Sequence, residues 1–284
     1  MIYGEKEKMI VYLKTINGIK VQCTDTENKL LQLNNDISIH KILDRNLEEM
    51  KHVILNNQLL YPKLFYTEYF HILKNDHKDL FKEHGLRHDI TIMSGNLAGI
   101  EFMKTYGHYH DLLNSKRNTA PEVIEILYGQ ALILLQKPKM VSSKYALGQS
   151  LESMCDFSHI EEFTYFKLNK GDVFVIPPGY GHILINQKPG ALIFSSLISS
   201  RAKSLYKSIF DFRGGAYYII KKNAKQVFVQ NPNYKNVPKV KKQRKWAYSN
   251  LVDKKDPIYL SFVNDPKRYH WLNDPDSINW ENFA

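Results

Sequence analysis

His108, His110, Glu122 and His182 are the residues of this sequence whose types and spacing could do chemistry. Successive side chains of a strand point to opposite faces. In Thr105-Tyr-Gly-His-Tyr-His110 the two histidines therefore project to one side and can offer two imidazoles to a single ion. Further along, Gly171-Asp-Val-Phe-Val-Ile-Pro-Pro-Gly-Tyr-Gly-His182 reads as a short apolar strand, a Pro-Pro-Gly turn, and a second apolar run from His182 to Ile185. Such a turn returns the chain toward the first strands and brings His182 inward. Glu122, which opens another apolar run after Pro121, could add an oxygen ligand. Three imidazoles and a carboxylate suit one divalent Fe, Mn, Ni or Zn ion, with positions left for water or substrate. The expectation is two halves of one metal site inside a small β-barrel.

The elements that would position these residues are mostly short strands. Asn17-Gly18 between the apolar runs of Met9–Cys23 predicts a two-residue hairpin. Ile39, Ile42, Leu43, Leu47, Met50 and Ile54 fall near helical spacing and predict a helix over 38–57. Tyr61 to Phe70 is aromatic and β-prone, and a charged, helix-compatible stretch follows it to Glu83. Asp89 to Met93 and Gly99 to His110 read as strands, as do 123–136, broken at Gly129, and Ala191 to Ile198. Residues 111–120 form a polar loop before Glu122, fit either for a lid or for an exposed turn. Glu125 stands an odd number of positions from Glu122, so a regular strand turns it to the other face. His71, His77, His84 and His88 have no partner at metal spacing and read as surface or packing residues. Beyond Pro238 the chain passes through the basic run Lys239-Val-Lys-Lys-Gln-Arg-Lys245 into an aromatic-rich tail with Tyr269, Trp271, Trp280 and Phe283, read as a linker and a docking strap.

The chain has 284 residues, 43% of them hydrophobic and 12% aromatic, enough for a buried core and unlike a disordered chain. Its longest apolar run, near Ala131 to Leu135, is far too short to cross a bilayer, and the N-terminus lacks a secretory pattern. The two cysteines, Cys23 and Cys155, stand in no metal or redox spacing. These features lead us to expect a cytoplasmic protein with no membrane partner. A net charge of +10 raises the question of nucleic acid. The basic run has no aromatic residue inside it, and lysine is spread along the chain. An excess of positive charge equally suits a small anionic substrate.

The glycine, proline, histidine and asparagine of 171–186 resemble the second cupin motif, and Glu122 stands at cupin spacing before Gly129. The resemblance narrows to the cupin-type, or archaeal-type, glucose-6-phosphate isomerases. It is carried by Leu86-Arg-His-Asp-Ile-Thr91, Gly99-Ile-Glu101, Lys104-Thr-Tyr-Gly-His-Tyr-His110, Pro121-Glu-Val-Ile-Glu-Ile-Leu127 and Leu134-Leu-Gln-Lys137. Pro177-Pro-Gly-Tyr-Gly-His182, Arg213-Gly-Gly-Ala-Tyr-Tyr218 and Asn231-Pro-Asn-Tyr234 continue it in the same order. The resemblance implies an all-β-dominated fold, a double-stranded β-helix or jelly-roll-like barrel, over residues 59–240. Residues 1–58 would be an N-terminal hairpin and helix, and residues 241–284 a C-terminal extension.

What the resemblance implies about function is a metal-dependent interconversion of glucose 6-phosphate and fructose 6-phosphate in glycolysis and gluconeogenesis, by a homodimer. One divalent ion per subunit, Fe2+, Mn2+, Ni2+ or Zn2+, would be held by His108, His110, Glu122 and His182. Glu122 would also be the catalytic base in a cis-enediol route, although a metal-held carboxylate is a weakened base and a hydride shift stays open. Thr91, Thr105 and the N–H of Gly107 would bind phosphate, with Tyr180 and Tyr206 as further contacts to sugar or phosphate. Two departures from the pattern bear on substrate choice. Ile124 stands where these enzymes commonly carry tyrosine, and Ser195-Ser-Leu197 replaces a stretch that often holds asparagine and tryptophan. Two alternatives follow, another sugar-phosphate isomerase or epimerase acting for example on mannose 6-phosphate, and a non-catalytic cupin that senses sugar phosphates.

Overall fold

In the computed structural model, residues 36–113, 117–142, 149–243, 248–253 and 255–280 are described, together with the backbone of 9–12, 20–23 and 28–31. Among these residues two large sheets face each other. One has the strand order Val173–Ile176, Glu122–Tyr128, Leu192–Ser199, Leu86–Met93, Leu64–Phe70 and Lys41–Asn46. The other runs Lys225–Gln230, Tyr217–Lys222, Glu101–Lys104, Gly181–Asn186, Gln130–Met140, Cys155–Asn169 and Lys241–Lys242. Pairing is antiparallel except where Thr164 meets Lys241 and at the isolated bridge between His159 and Asn236.

The chain passes from one sheet to the other repeatedly, and two of these crossings are the tight turns that flank the candidate site. Glu122–Tyr128 continues through Gly129 into Gln130–Met140, and Val173–Ile176 through 177–180 into Gly181–Asn186. Both turns carry residues with positive φ, Gly129 and Gly179, which fold the chain back between sheets instead of extending one of them. The result is the expected strand-dominated double-stranded β-helix, with a core between its walls of Met93, Met103, Ile126, Ile133, Leu135, Phe166 and Leu184.

Both walls are also covered on their outer faces, which explains why strands such as Leu192–Ser199 are buried along their whole length. Behind the first sheet, Ile90, Val123, Val175 and Leu197 pack against Phe81, Tyr259, Phe262, Tyr269 and Trp271. The strap expected at the C-terminus is therefore a structural layer, formed by the helix Ile258–Asn264 and the turns Pro266–Leu272 and Pro275–Ser277. Behind the second sheet, Leu132, Leu134 and Ile183 pack against Ala216, Ile219 and Tyr234.

The N-terminal expectation is corrected in part. Residues 38–57 are not one helix. Lys41–Asn46 is an edge strand paired with Leu64–Phe70, and only Leu47–Met50 is helical. The reason is local: Asn46 and Glu49 form a capping box that starts the helix at Leu47, while the edge strand exposes Ile42 and so hides its alternation. Met9–Tyr12 and Lys20–Cys23 pair antiparallel, as a hairpin requires, and Asn28–Leu31 adds a third strand. The Asn17-Gly18 turn itself lies outside the described residues. Gly99 to His110 is likewise not one strand but two, Glu101–Lys104 and Tyr109–His110.

Glu125 joins the C-terminal layer to the barrel. It points away from Glu122, as alternation requires, and its carboxylate accepts the N–H of Ile258 at 2.8 Å. Burial pushes its pKa up to about 7, with the Ile258 hydrogen bond acting in the opposite direction. The unfolded chain ionises near the ordinary value of 4.5. Between these two pH values the folded state holds the extra proton, so stability falls as pH rises through that window, by at most about 3 kcal/mol. Glu125→Gln should flatten this decline, which urea unfolding at pH 5 and pH 7.5 reads. Trp271, 1% exposed at the centre of the same layer, gives a second test. Trp271→Ala should cost about 3–5 kcal/mol of unfolding free energy.

Candidate metal centre

The four donors come from three places on the barrel, and each is aimed by a local constraint. His108 and His182 lie opposite each other on neighbouring strand ends: the N–H of His182 donates to the carbonyl of His108 at 3.0 Å, and the return bond is 3.4 Å. Their rings meet edge to face with centroids 4.4 Å apart. Gly107, with φ of +82°, makes the bend that separates His108 from the preceding strand. A Cβ there would lie 2.6 Å from Ile183. His110 projects to the same side as His108. Between them Tyr109 points into the core, where its hydroxyl accepts from Gln136 at 2.7 Å. Gly181 lies against that tyrosine ring, and a Cβ would stand 2.5 Å from it. The Gly181-His182 pair thus brings the backbone close enough for the fourth candidate donor to reach the others.

Glu122 opens its strand, and alternation turns Glu122 and Ile124 into the barrel. The Nε2 atoms of His108 and His110 are 3.1 Å apart. Glu122 Oε2 lies 3.3 Å from His182 Nε2 and 3.7 Å from His110 Nε2. All four donor atoms fall within 4.8 Å of one another. Donors bound roughly 2 Å from a shared ion lie roughly 3 to 3.5 Å apart, so most of this spacing is what one small divalent ion would impose.

The electrostatics agree. Burial, with the neighbouring His182 and His110, holds the His108 imidazole well below its usual range. Burial brings His110 down to about 4, against the opposing charge of Glu122. Both rings are therefore neutral at pH 7, as ligands must be. Burial acts upward on Glu122, but the close approach and electrostatic attraction of the His182 and His110 rings and a hydrogen bond from Ser196 outweigh it and hold the carboxyl at about 2. Glu122 Oε2 is buried without a hydrogen-bond partner, and so is His182 Nδ1. A buried, ionised carboxylate oxygen with no donor is costly unless a cation compensates it. The donor set fits a divalent ion, and among the described residues it is the one such His/Glu group.

The surroundings fix the donors further. His110 Nδ1–H donates to the carbonyl of Ala120 at 2.8 Å, which leaves Nε2 with its lone pair toward the centre. The segment that carries Ala120 is held at both sides. Thr119 Oγ1 accepts the N–H of Gly179 at 2.8 Å. The carboxylate of Asp276, in the C-terminal layer, accepts from the backbone of Arg117 and from Asn118 at 2.9–3.1 Å. The loop at 111–120 is thus tied, within its described residues, to the strap and to the Pro-Pro-Gly turn.

Of the expected substrate contacts, Thr91, Thr105, Gly107 and Tyr206 line one cavity beside His108, Glu122 and His182. Tyr180 does not. It follows the turn at Gly179, donates its hydroxyl to Glu162 at 2.7 Å, and lines an outer groove with Arg117 and Trp280. The cavity also takes in Tyr66, Glu68 and Phe194, which sequence reasoning missed as site residues, and Ser196 of the Ser195–Leu197 stretch expected to bear on substrate choice. Both faces of Leu64–Phe70 and Leu192–Ser199 are largely buried, so neither strand shows an alternation that marks its inner face. The one available signal was a lone carboxylate, Glu68, in an otherwise apolar strand.

Residues 54–237 match the family model described as glucose-6-phosphate isomerase (GPI). The glucose-6-phosphate isomerase of Thermococcus litoralis is 27% identical over 154 residues, 54% of this chain and 67% of that protein. Among solved structures, the 7S globulin of Momordica charantia is 14% identical with a TM-score of 0.33, over 60% of this chain and 37% of that one. The oxalate decarboxylase of Lactobacillus farciminis is 18% identical with a TM-score of 0.31, over 52% and 34%. The chain thus spans about a third of the length of these solved chains. The family match runs from just before the strand Leu64–Phe70 to the end of the barrel and takes in all four metal-directed residues, and this chain belongs to the glucose-6-phosphate isomerase family in its cupin form.

Proposed function

We propose that this protein is a metal-dependent aldose–ketose isomerase that interconverts glucose 6-phosphate and fructose 6-phosphate. The observation that carries this reading is the convergence of His108, His110, Glu122 and His182 on one point beside the cavity of a chain in this family. A divalent ion held there would act as a Lewis acid on the carbonyl oxygen of the open-chain sugar.

The protein's own residues do the rest. Thr91 and Thr105 offer hydroxyls and Gly107 a backbone N–H to the phosphate. The side chains of Ile124 and Phe194 close the cavity with apolar surface and limit water at the reacting carbons. Glu122 is ionised throughout the working range and faces the same cavity. In the proton-transfer route it accepts the hydrogen of C2 as a proton while that bond's electrons form C1=C2. It then returns the proton to C1, and a second proton passes from O2 to O1. The same reading makes the protein a cytoplasmic homodimer of glycolysis and gluconeogenesis. Ile124 favours one second reading, a related sugar phosphate such as mannose 6-phosphate, because an apolar side chain replaces a hydroxyl at the cavity wall.

Protein stripped with chelator should not convert fructose 6-phosphate, and reloading with Fe2+, Mn2+, Ni2+ or Zn2+ should restore turnover, followed with a dehydrogenase specific for glucose 6-phosphate. His108→Ala and His182→Ala should abolish the restoration. Glu122→Gln should lower kcat on the order of 10²- to 10⁴-fold. Folded, metal-loaded protein with no turnover would overturn the reading and move the assay to mannose 6-phosphate.

A further inference from the structure

The cavity contains a second carboxyl group that the proposed chemistry does not use. Glu68 lies on Leu64–Phe70, opposite Thr91 in the antiparallel register, and lines the cavity with Thr91, Thr105 and Gly107. It makes no hydrogen bond or ion pair among the described residues. The cations near it are engaged elsewhere. Arg45, on the neighbouring strand, pairs with Glu49 at 3.0 Å and its guanidinium lies 5.2 Å from the centre of the Tyr206 ring. Arg87 pairs with Asp89 at 2.9 Å. A carboxylate here would confront a phosphate dianion in a partly dry cavity, where like charges repel strongly.

We propose that Glu68 is a specificity-determining residue of the phosphate subsite: as a neutral carboxylic acid it donates a hydrogen bond to a phosphate oxygen, and once ionised it repels the phosphate. This rests on the placement of the phosphate at Thr91, Thr105 and Gly107 in the proposed function. The surroundings favour the neutral form. Burial, the largest cause, pushes the Glu68 carboxyl up to about 8, with the charge of Asp89 adding to it and Arg45 and Arg87 opposing it; the Glu122 charge adds to it only until an ion at the metal site offsets it. Tyr66, Tyr206, His108 and His182 are the other titratable groups at the cavity. Of the strand Asn28–Leu31, which packs on Leu64–Phe70, the one titratable residue in the sequence is Lys29.

The sign is fixed by these groups. With its pKa raised, Glu68 is mostly protonated at pH 7 and mostly ionised above pH 9. A phosphate monoester has already lost its second proton near pH 6, so its own charge is constant over this range. Affinity for a sugar phosphate should therefore fall as pH rises through 8, approaching roughly tenfold per pH unit above it.

The test is calorimetric binding of sorbitol 6-phosphate to the metal-loaded protein between pH 7 and 9.5. This ligand has no carbonyl and is not turned over, so the result does not depend on isomerase activity. Wild-type Kd should rise at least tenfold across the range, and binding at pH 8.5 should take up a fraction of a proton, read from the heats in buffers of different ionisation enthalpy. Glu68→Gln, which keeps a donor and cannot ionise, should hold Kd constant within about twofold. Sorbitol, which lacks the phosphate, should bind weakly and without this pH dependence. A wild-type Kd that stays flat with no proton uptake overturns the proposal, as does a Glu68→Gln variant whose Kd rises as steeply as the wild type. Absence of turnover together with pH-dependent binding would instead sink the isomerase reading and leave the role of Glu68 standing.

Discussion

The constraint on which the site depends is an ionised carboxylate buried among imidazoles. Glu122 Oε2 has no hydrogen-bond donor and lies 3.3 Å from a histidine nitrogen, deep enough that the uncompensated charge would be costly. The arrangement makes physical sense around a cation. The fold holds it there by drawing donors from strands remote in sequence: a bend at Gly107, a strand start at Glu122 and a turn exit at His182. Each donor is rigid because the residue beside it packs into the core or hydrogen-bonds the loop that follows.

The segments outside the barrel proper serve the same end. The C-terminal layer covers the outer face of the sheet that carries Glu122, donates the Ile258 N–H to Glu125, and fixes the 117–118 backbone through Asp276. That backbone leads into Thr119, tied to the Pro-Pro-Gly turn, and into Ala120, whose carbonyl orients His110. An extension and a long loop, each separately without an obvious use, form one support beneath two of the metal-directed side chains.

The cavity places two glutamates in opposite electrostatic conditions. Glu122 is held ionised by adjacent imidazoles, and Glu68 is pushed toward its neutral form by burial and by like charges. Separation of this kind would let one small cavity hold an anion toward the candidate metal site and a hydrogen-bond donor toward the proposed phosphate subsite. Ile124 and Glu68 together give this chain a cavity wall with its own balance of polarity.

The sequence by itself determined the metal-directed set, because ligand chemistry is carried by residue type and by spacings that strand alternation converts directly into a shared face. His108 and His110 needed no tertiary information to be placed together, and parity alone turned Glu125 away from Glu122. The barrel followed from the same motifs and from the turns at Gly129 and Gly179. What only the tertiary structure decided were matters of contact between distant segments. Leu64–Phe70 is largely buried on both faces, so its alternation does not show that Tyr66 and Glu68 face the cavity. Tyr180, two residues from His182, is drawn outward by Glu162 eighteen positions away. The strand at Lys41–Asn46 looked helical because an exposed edge relaxes the alternation that partners would impose. Such outcomes depend on which surface meets which, and local sequence does not carry that information.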